Sequence, residues 1–288
     1  MSERATATAG QTVGAVDIDG LRLPLIVHSH IPKTGGSALN NRLFYRWFPL
    51  SQQLGLYRLP FTAMARFAPE GDGKLSGKRF VSGHIPVGYF DNITSAIYVS
   101  LYRDPVERIL SFASFAVASK DHGALKLFDT NLKPLAKSDP DRFLRVLLGN
   151  NVIAVRQFNL MTRLSAGRPF LTGDATSDDD LTVALTTLGR PDFRIGLQEA
   201  FDKFVLQLRF EFNWNGPEPN PSTLDVPLDV VEKRLDFRIR QSDLRSSTVD
   251  WLRAEQTIDL RFYELVARRV EERSASLVIG AASESAAS

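Results

Sequence analysis

Lysine, threonine, two glycines and serine follow one another from Lys33 to Ser37, inside the stretch HSHIPKTGGSALNNRLF that runs from His28 to Phe44. An apolar run, LPLIV, precedes the stretch, and a helix-like pattern follows it. The start of a helix leaves N–H groups unpaired and carries the positive end of the macrodipole. Gly35 and Gly36 let the backbone approach an anion closely. Thr34 and Ser37 bring hydroxyls and Lys33 a mobile positive charge, so Lys33, Thr34, Gly35, Gly36 and Ser37 together compose an anion cradle. The order is not that of a Walker A loop, in which the lysine follows the last glycine and a Ser or Thr follows the lysine to meet a metal. An ordinary glycine-rich turn between a strand and a helix has a similar local composition.

Two further stretches carry groups able to do chemistry. In YRDPVERILSFASF, Arg103 offers a planar fork suited to a phosphate. Ser111 lies eight residues later, two helical turns on, where it can share a face with groups near the helix start. Arg103 paired with Asp104 or Glu107, with Ser111 a small packing residue, is the competing reading. In VSGHIPVGYF, His84 is a side chain whose ordinary pKa suits removal of a hydroxyl proton near neutral pH. A capping or core histidine is its structural alternative. His28 and His30 fall on one face of the first strand. With His84 they raise the question of a metal, but the surroundings offer no clear fourth ligand, so no metal is expected.

The elements that must position these groups can be read in turn. Strands are expected at about 23–31, 79–85, 96–103 and 193–197 from their short β-branched and aromatic runs. The first helix is expected over 36–47. Asp104 as N-cap, Pro105 at the first helical position and Glu107 at the capping-box position predict a helix from there to about Ser119. Residues 140–188 read as helices broken by SAGRPF and GDATSDDD, 200–212 as a helix, NGPEPNPS as a Pro-rich loop and 249–273 as a charged helix. Strands separated by helices imply an α/β three-layer sandwich with a central, mainly parallel sheet. Ligands in such sheets bind beyond the carboxyl ends of the strands, and all three unusual stretches fall there. Residues 1–20 and 275–288 read as flexible ends around a single domain over 21–274.

HIPKTGGSAL resembles the 5′-phosphosulfate loop of sulfotransferases that use 3′-phosphoadenosine 5′-phosphosulfate. YRDPVERILSFASF resembles the 3′-phosphate motif of the same family. The closer likeness is to the carbohydrate branch related to heparan sulfate 2-O-sulfotransferases. That branch carries a His-Gly-His arrangement where this chain reads Ser82-Gly83-His84. The resemblance implies a P-loop-like fold and a sulfuryl donor held by Lys33 to Ser37 at its 5′ end, with Arg103 and Ser111 at its 3′-phosphate. It implies His84 as base, Lys33 as stabiliser of the leaving oxygen, and a sugar or glycoconjugate hydroxyl as acceptor. NLMTRLSAG resembles a family segment that would bring Arg163 to the nucleotide or the acceptor. QSDLRSST resembles a late loop in which Arg245, Ser247 and Thr248 would close over the 3′-phosphate and adenine. A kinase-like phosphotransferase and a non-catalytic nucleotide-binding protein of the same fold are the alternatives.

Composition is compatible with each of these. The 288 residues, 43% of them hydrophobic, suffice for a sizeable core. A formal net charge of +2 fits an anionic ligand without demanding nucleic acid. With no cysteine the chain has no disulfide or thiolate chemistry. The first twenty residues lack the basic start and apolar core of a signal peptide, and no long apolar run suggests a membrane span. A cytoplasmic, bacterial-type enzyme is the expectation. The triplet Asn92-Ile93-Thr94 would matter as a glycosylation acceptor only in a secreted protein.

Overall fold

The structure is a computed structural model. It describes residues 17–18, 21–22, 24–57, 75–92, 95–119, 124–128, 131–170, 173–214, 216 and 237–287, with side chains described from 24 to 273 within those ranges. The triplet at 92–94 and the Pro-rich loop fall wholly or largely outside them.

A two-residue hairpin, β1 (Asp17–Ile18) with β2 (Leu21–Arg22), leads into the domain. The segment read as unstructured to residue 20 therefore ends in paired strand. Five strands form the central sheet: β3 (Leu25–Ser29), β4 (Gln53–Leu56), β5 (Phe80–Gly83), β6 (Ala96–Tyr102) and β7 (Phe193–Leu197). Their order is β4-β5-β3-β6-β7 and every pairing is parallel. The edge strand β4 had no signal in the sequence reading. Its segment QLGL is too short and too polar to stand out, and pairing with β5 forms it.

Alternation along each strand divides the core into layers. Leu25 and Val27 face one side, against the helices Leu160–Ser165, Asp178–Leu188 and Thr257–Ala287. Ile26 faces the other, with Phe80, Val99 and Leu101, against the helical stretch 36–47 and the helix Phe201–Glu211. A third cluster packs the helix Pro105–Ala118 on Pro140–Leu148, Asn151–Gln157 and Ser246–Glu255. The chain is thus an α/β three-layer sandwich on a parallel sheet, as read from the sequence.

Three local departures bear on the site. The first helix widens into a π turn at Asn40–Phe44 before closing at Tyr45–Trp47. The widening sits where the Asn40 side chain is drawn into buried hydrogen bonds. Asp104 caps the helix Pro105–Ala118, accepting from the Glu107 N–H at 2.9 Å. The reciprocal half of the expected capping box is not made, because the Glu107 carboxylate turns to Arg103 and Gln241 and the Asp104 N–H donates to Glu199. The expected helix over 249–273 is two helices, Ser246–Glu255 and Thr257–Ala287, broken at Gln256, whose side chain donates to the Pro105 carbonyl. The second of them runs on through the segment read as a flexible tail. Among the described residues, no helix is long and apolar enough to cross a membrane.

Candidate functional site

The carboxyl ends of β3, β5, β6 and β7 deliver His30, His84, Arg103 and Gln198 to one edge of the sheet. The turn after β3 bends through two left-handed residues, Lys33 (φ 71) and Gly35 (φ 92). Glycine suits the second, and the lysine is held in a conformation that side chains usually avoid. Thr34 is fully buried and its hydroxyl donates to the Ile31 carbonyl at 2.9 Å. Its single O–H therefore fixes the turn and does not point at a ligand, unlike the role expected for it. Gly35 caps the helix with no side chain bonded over it, and Ser37 is exposed.

Gly36 has a reason absent from the sequence reading. A Cβ there would lie 2.1 Å from His30 Cδ2 and 2.9 Å from His28 Cε1. The helix starts directly on two buried imidazoles, and the glycine makes room for them. These rings stack at 5.2 Å, and His30 continues to His84 at 5.3 Å. His28 Nδ1 meets Asn40 Oδ1 at 2.6 Å and Ser82 Oγ at 3.2 Å. Asn40 Nδ2 also donates to the Tyr57 hydroxyl at 2.5 Å and to Ser82 Oγ at 2.9 Å. Tyr57 stands edge-on to His84 at 5.5 Å, and Phe170 lies against it at 5.1 Å. His28 Nε2 and His30 Nδ1 are buried without a hydrogen-bond partner. Among the described residues, no group of three or more His, Asp or Glu is arranged to hold a metal.

Arg103 joins the lysine turn directly. It is 8% exposed; its Nη1 donates to the Lys33 carbonyl at 3.4 Å and its Nη2 to Glu107 at 3.3 Å. Glu107 in turn accepts from Gln241 at 2.9 Å and has Arg238 at 3.8 Å. The segment carrying Arg238 is tied down by the Ile239 N–H bonding to Ser114 on the helix Pro105–Ala118. The Lys33 ammonium lies 3.0 Å from the centroid of Phe115, one turn beyond Ser111, which is half-buried.

Loss of water dominates the electrostatics. Burial lowers Lys33 to about 7. It lowers His84 to about 4, with the nearby Lys33 charge adding to the effect. His28 also falls to about 4 through burial, its bond to Asn40 opposing, and burial holds His30 well below its usual value. At neutral pH all three imidazoles are uncharged, and the ammonium is poised to lose or keep its proton.

The four remaining expected donor contacts have the following surroundings. Arg163 is buried, with its guanidinium on the carbonyls of Val155 and Phe158 and on Thr176. It holds the helix Leu160–Ser165 against its neighbours. Arg245 is exposed and faces Asp141, Ser247 is exposed, and Thr248 is buried in the start of its helix. Arg238, seven residues earlier than Arg245, is the arginine of that region which reaches the Arg103–Glu107 pair. Tyr57, Asn40, Phe115, Arg238 and Gln198 were not singled out from the sequence. Only Phe115 left a signal, its helical spacing of four from Ser111. No protein-family model matches the chain, and a search of curated proteins returns no match.

Proposed function

We propose that the chain transfers a sulfuryl group from 3′-phosphoadenosine 5′-phosphosulfate to a hydroxyl, on a carbohydrate or glycoconjugate acceptor. One observation carries the reading. Arg103 is bonded to the Lys33 carbonyl, so two cationic side chains from distant parts of the chain share one edge of a parallel sheet, with His84 beside them. The uncapped helix start, Lys33 and the left-handed turn suit the donor's 5′ end. Arg103, with Arg238 and Ser111, suits its 3′-phosphate. Glu107 is a carboxylate in that place, but two arginines and a glutamine side chain offset it.

In this reading the acceptor oxygen attacks sulfur as its proton passes to His84. The bond between sulfur and the bridging phosphate oxygen breaks, and its electron pair stays on that oxygen, where Lys33 balances the charge. Positioning and electrostatics supply most of the rate. His84 near 4 is uncharged at pH 7 and so able to accept a proton, but it is a weak base. The donor's negative charge opposes the Lys33 field and raises the imidazole towards its useful range.

The test is calorimetric titration with adenosine 3′,5′-bisphosphate, followed by transfer of labelled sulfate from the donor to a panel of saccharides. Micromolar binding that Arg103→Ala weakens at least tenfold, and transfer that His84→Ala abolishes without loss of binding, are expected. Absence of bisphosphate binding refutes the reading. Binding with no transfer to any acceptor favours a nucleotide-binding protein.

A further inference from the structure

Phe115 projects from the helix Pro105–Ala118 with 38% of its surface exposed. Its ring face meets the Lys33 ammonium at 3.0 Å from the centroid. Among the described residues, no carboxylate pairs with that ammonium. Glu107, on the same helix as Phe115, is taken up by Arg103. Arg103, from the end of β6, approaches Lys33 through its backbone carbonyl. His30 and His84, from the ends of β3 and β5, face Lys33 as uncharged imidazoles. The desolvated cation thus has an aromatic face as its described favourable partner.

We infer that Phe115 is a positioning residue for Lys33, its ring holding the ammonium charged and in place until an anion takes it over. The inference rests on reading the 33–37 turn as the donor cradle. A ring quadrupole attracts a cation most strongly where water is excluded. Leucine keeps the bulk of phenylalanine without that face, and tyrosine keeps the face. Lys33, lowered to about 7 with the ring in place, should then hold its proton less well in Phe115→Leu and equally well in Phe115→Tyr.

The experiment begins without ligand. Protein labelled with carbon-13 at the lysine Cε is titrated by NMR, with the Lys33 signal assigned by its loss in Lys33→Arg. A midpoint about one pH unit lower in Phe115→Leu, and an unchanged midpoint in Phe115→Tyr, are expected. Affinity for adenosine 3′,5′-bisphosphate should then be about eightfold weaker than wild type at pH 7.5 and nearly equal at pH 5.5, as the charged fraction of Lys33 dictates. In the Lys33→Arg background, whose guanidinium keeps its proton throughout, Phe115→Leu should add no pH dependence to binding between pH 5.5 and 7.5. An unmoved Lys33 midpoint in folded Phe115→Leu overturns the inference, and so does a pH-dependent affinity loss that is as steep in the arginine background. If the midpoint moves and no variant binds the bisphosphate, the ring–lysine pairing stands and the donor reading falls.

Discussion

Gly36→Ala sets two effects of opposite sign against each other. Gly36 opens a helix, where alanine is normally better than glycine by about 1 kcal/mol. Against this, the new methyl would lie 2.1 Å from His30 Cδ2, 2.6 Å from His30 Nε2 and 2.9 Å from His28 Cε1. The rings have little room to retreat. Both are buried, they stack on each other, and His28 is held by Asn40 at 2.6 Å. Overpacking a tight core costs about 1–3 kcal/mol, and three simultaneous overlaps with fixed rings place this case at the upper end. The clash wins, and the variant should lose about 2 kcal/mol net in urea unfolding. A double-mutant cycle isolates the cause. In His30→Ala the alanine at 36 finds space and keeps its propensity gain, so the pair should couple by about 3 kcal/mol, the size of the clash itself. Gly35→Ala is the control. It forces a Cβ into the left-handed region at φ 92, a cost of about 1–2 kcal/mol, and should not couple to His30. If Gly36→Ala is as stable as wild type, or costs the same with and without the His30 ring, then the imidazoles do not explain the glycine.

Acid should destabilise the empty protein earlier than its carboxylates alone would. His28 sits near 4 when folded against 6.5 unfolded, so the unfolded chain binds more protons between those values and stability falls as pH drops through that window. By pH 5 this one residue removes about 2 kcal/mol, and His30 acts in the same direction, so flat urea midpoints between pH 7 and 5 would contradict the burial argument. Asp259 is fully buried and accepts from the N–H groups of Met161 and Thr162, at 3.1 and 2.8 Å, and from the Thr162 hydroxyl at 2.8 Å. Asp259→Ala leaves those donors and the neighbouring Arg108 charge unanswered, and should cost about 3 kcal/mol in the same assay, a loss under 1 kcal/mol counting against it.

What could be read from the chain alone follows from which forces are local. The strand β6 and the helix after it announce themselves through β-branched residues, an N-cap and a proline, so their bounds were legible to within a residue or two. The strand β4 and the break at Gln256 depend on partners 27 and 151 residues away, at Phe80 and Pro105, and no local pattern encodes them. The site divides in the same way. Lys33, His84 and Arg103 stand out by type and position, whereas Tyr57 and Asn40 matter only because the π turn and the edge strand bring them to Ser82. Arg163 and Arg245 are candidates through the family resemblance alone, and one spends its donors on buried carbonyls while the other, itself exposed, faces Asp141. Charge and neighbours in sequence do not distinguish those fates, because burial decides them.

The same burial gives the site a polarity that its residue types do not suggest. By residue type alone, three histidines and a lysine can all carry positive charge. Desolvation instead strips the imidazoles of charge at pH 7 and leaves Lys33 balanced at its titration point. Arg103 keeps its charge because a guanidinium cannot be discharged near neutrality, even though burial lowers it as well. The carboxyl ends of β3 and β6 therefore carry one firm cation and one conditional cation. An anion beside Lys33 would restore the favourable field that folding removed, and Lys33 and then His84 would regain affinity for protons. Under the proposed function, a base that is weak without the donor and strengthened by it would act only when the donor is present. In the proposed transfer, that coupling ties removal of the acceptor proton to a loaded site.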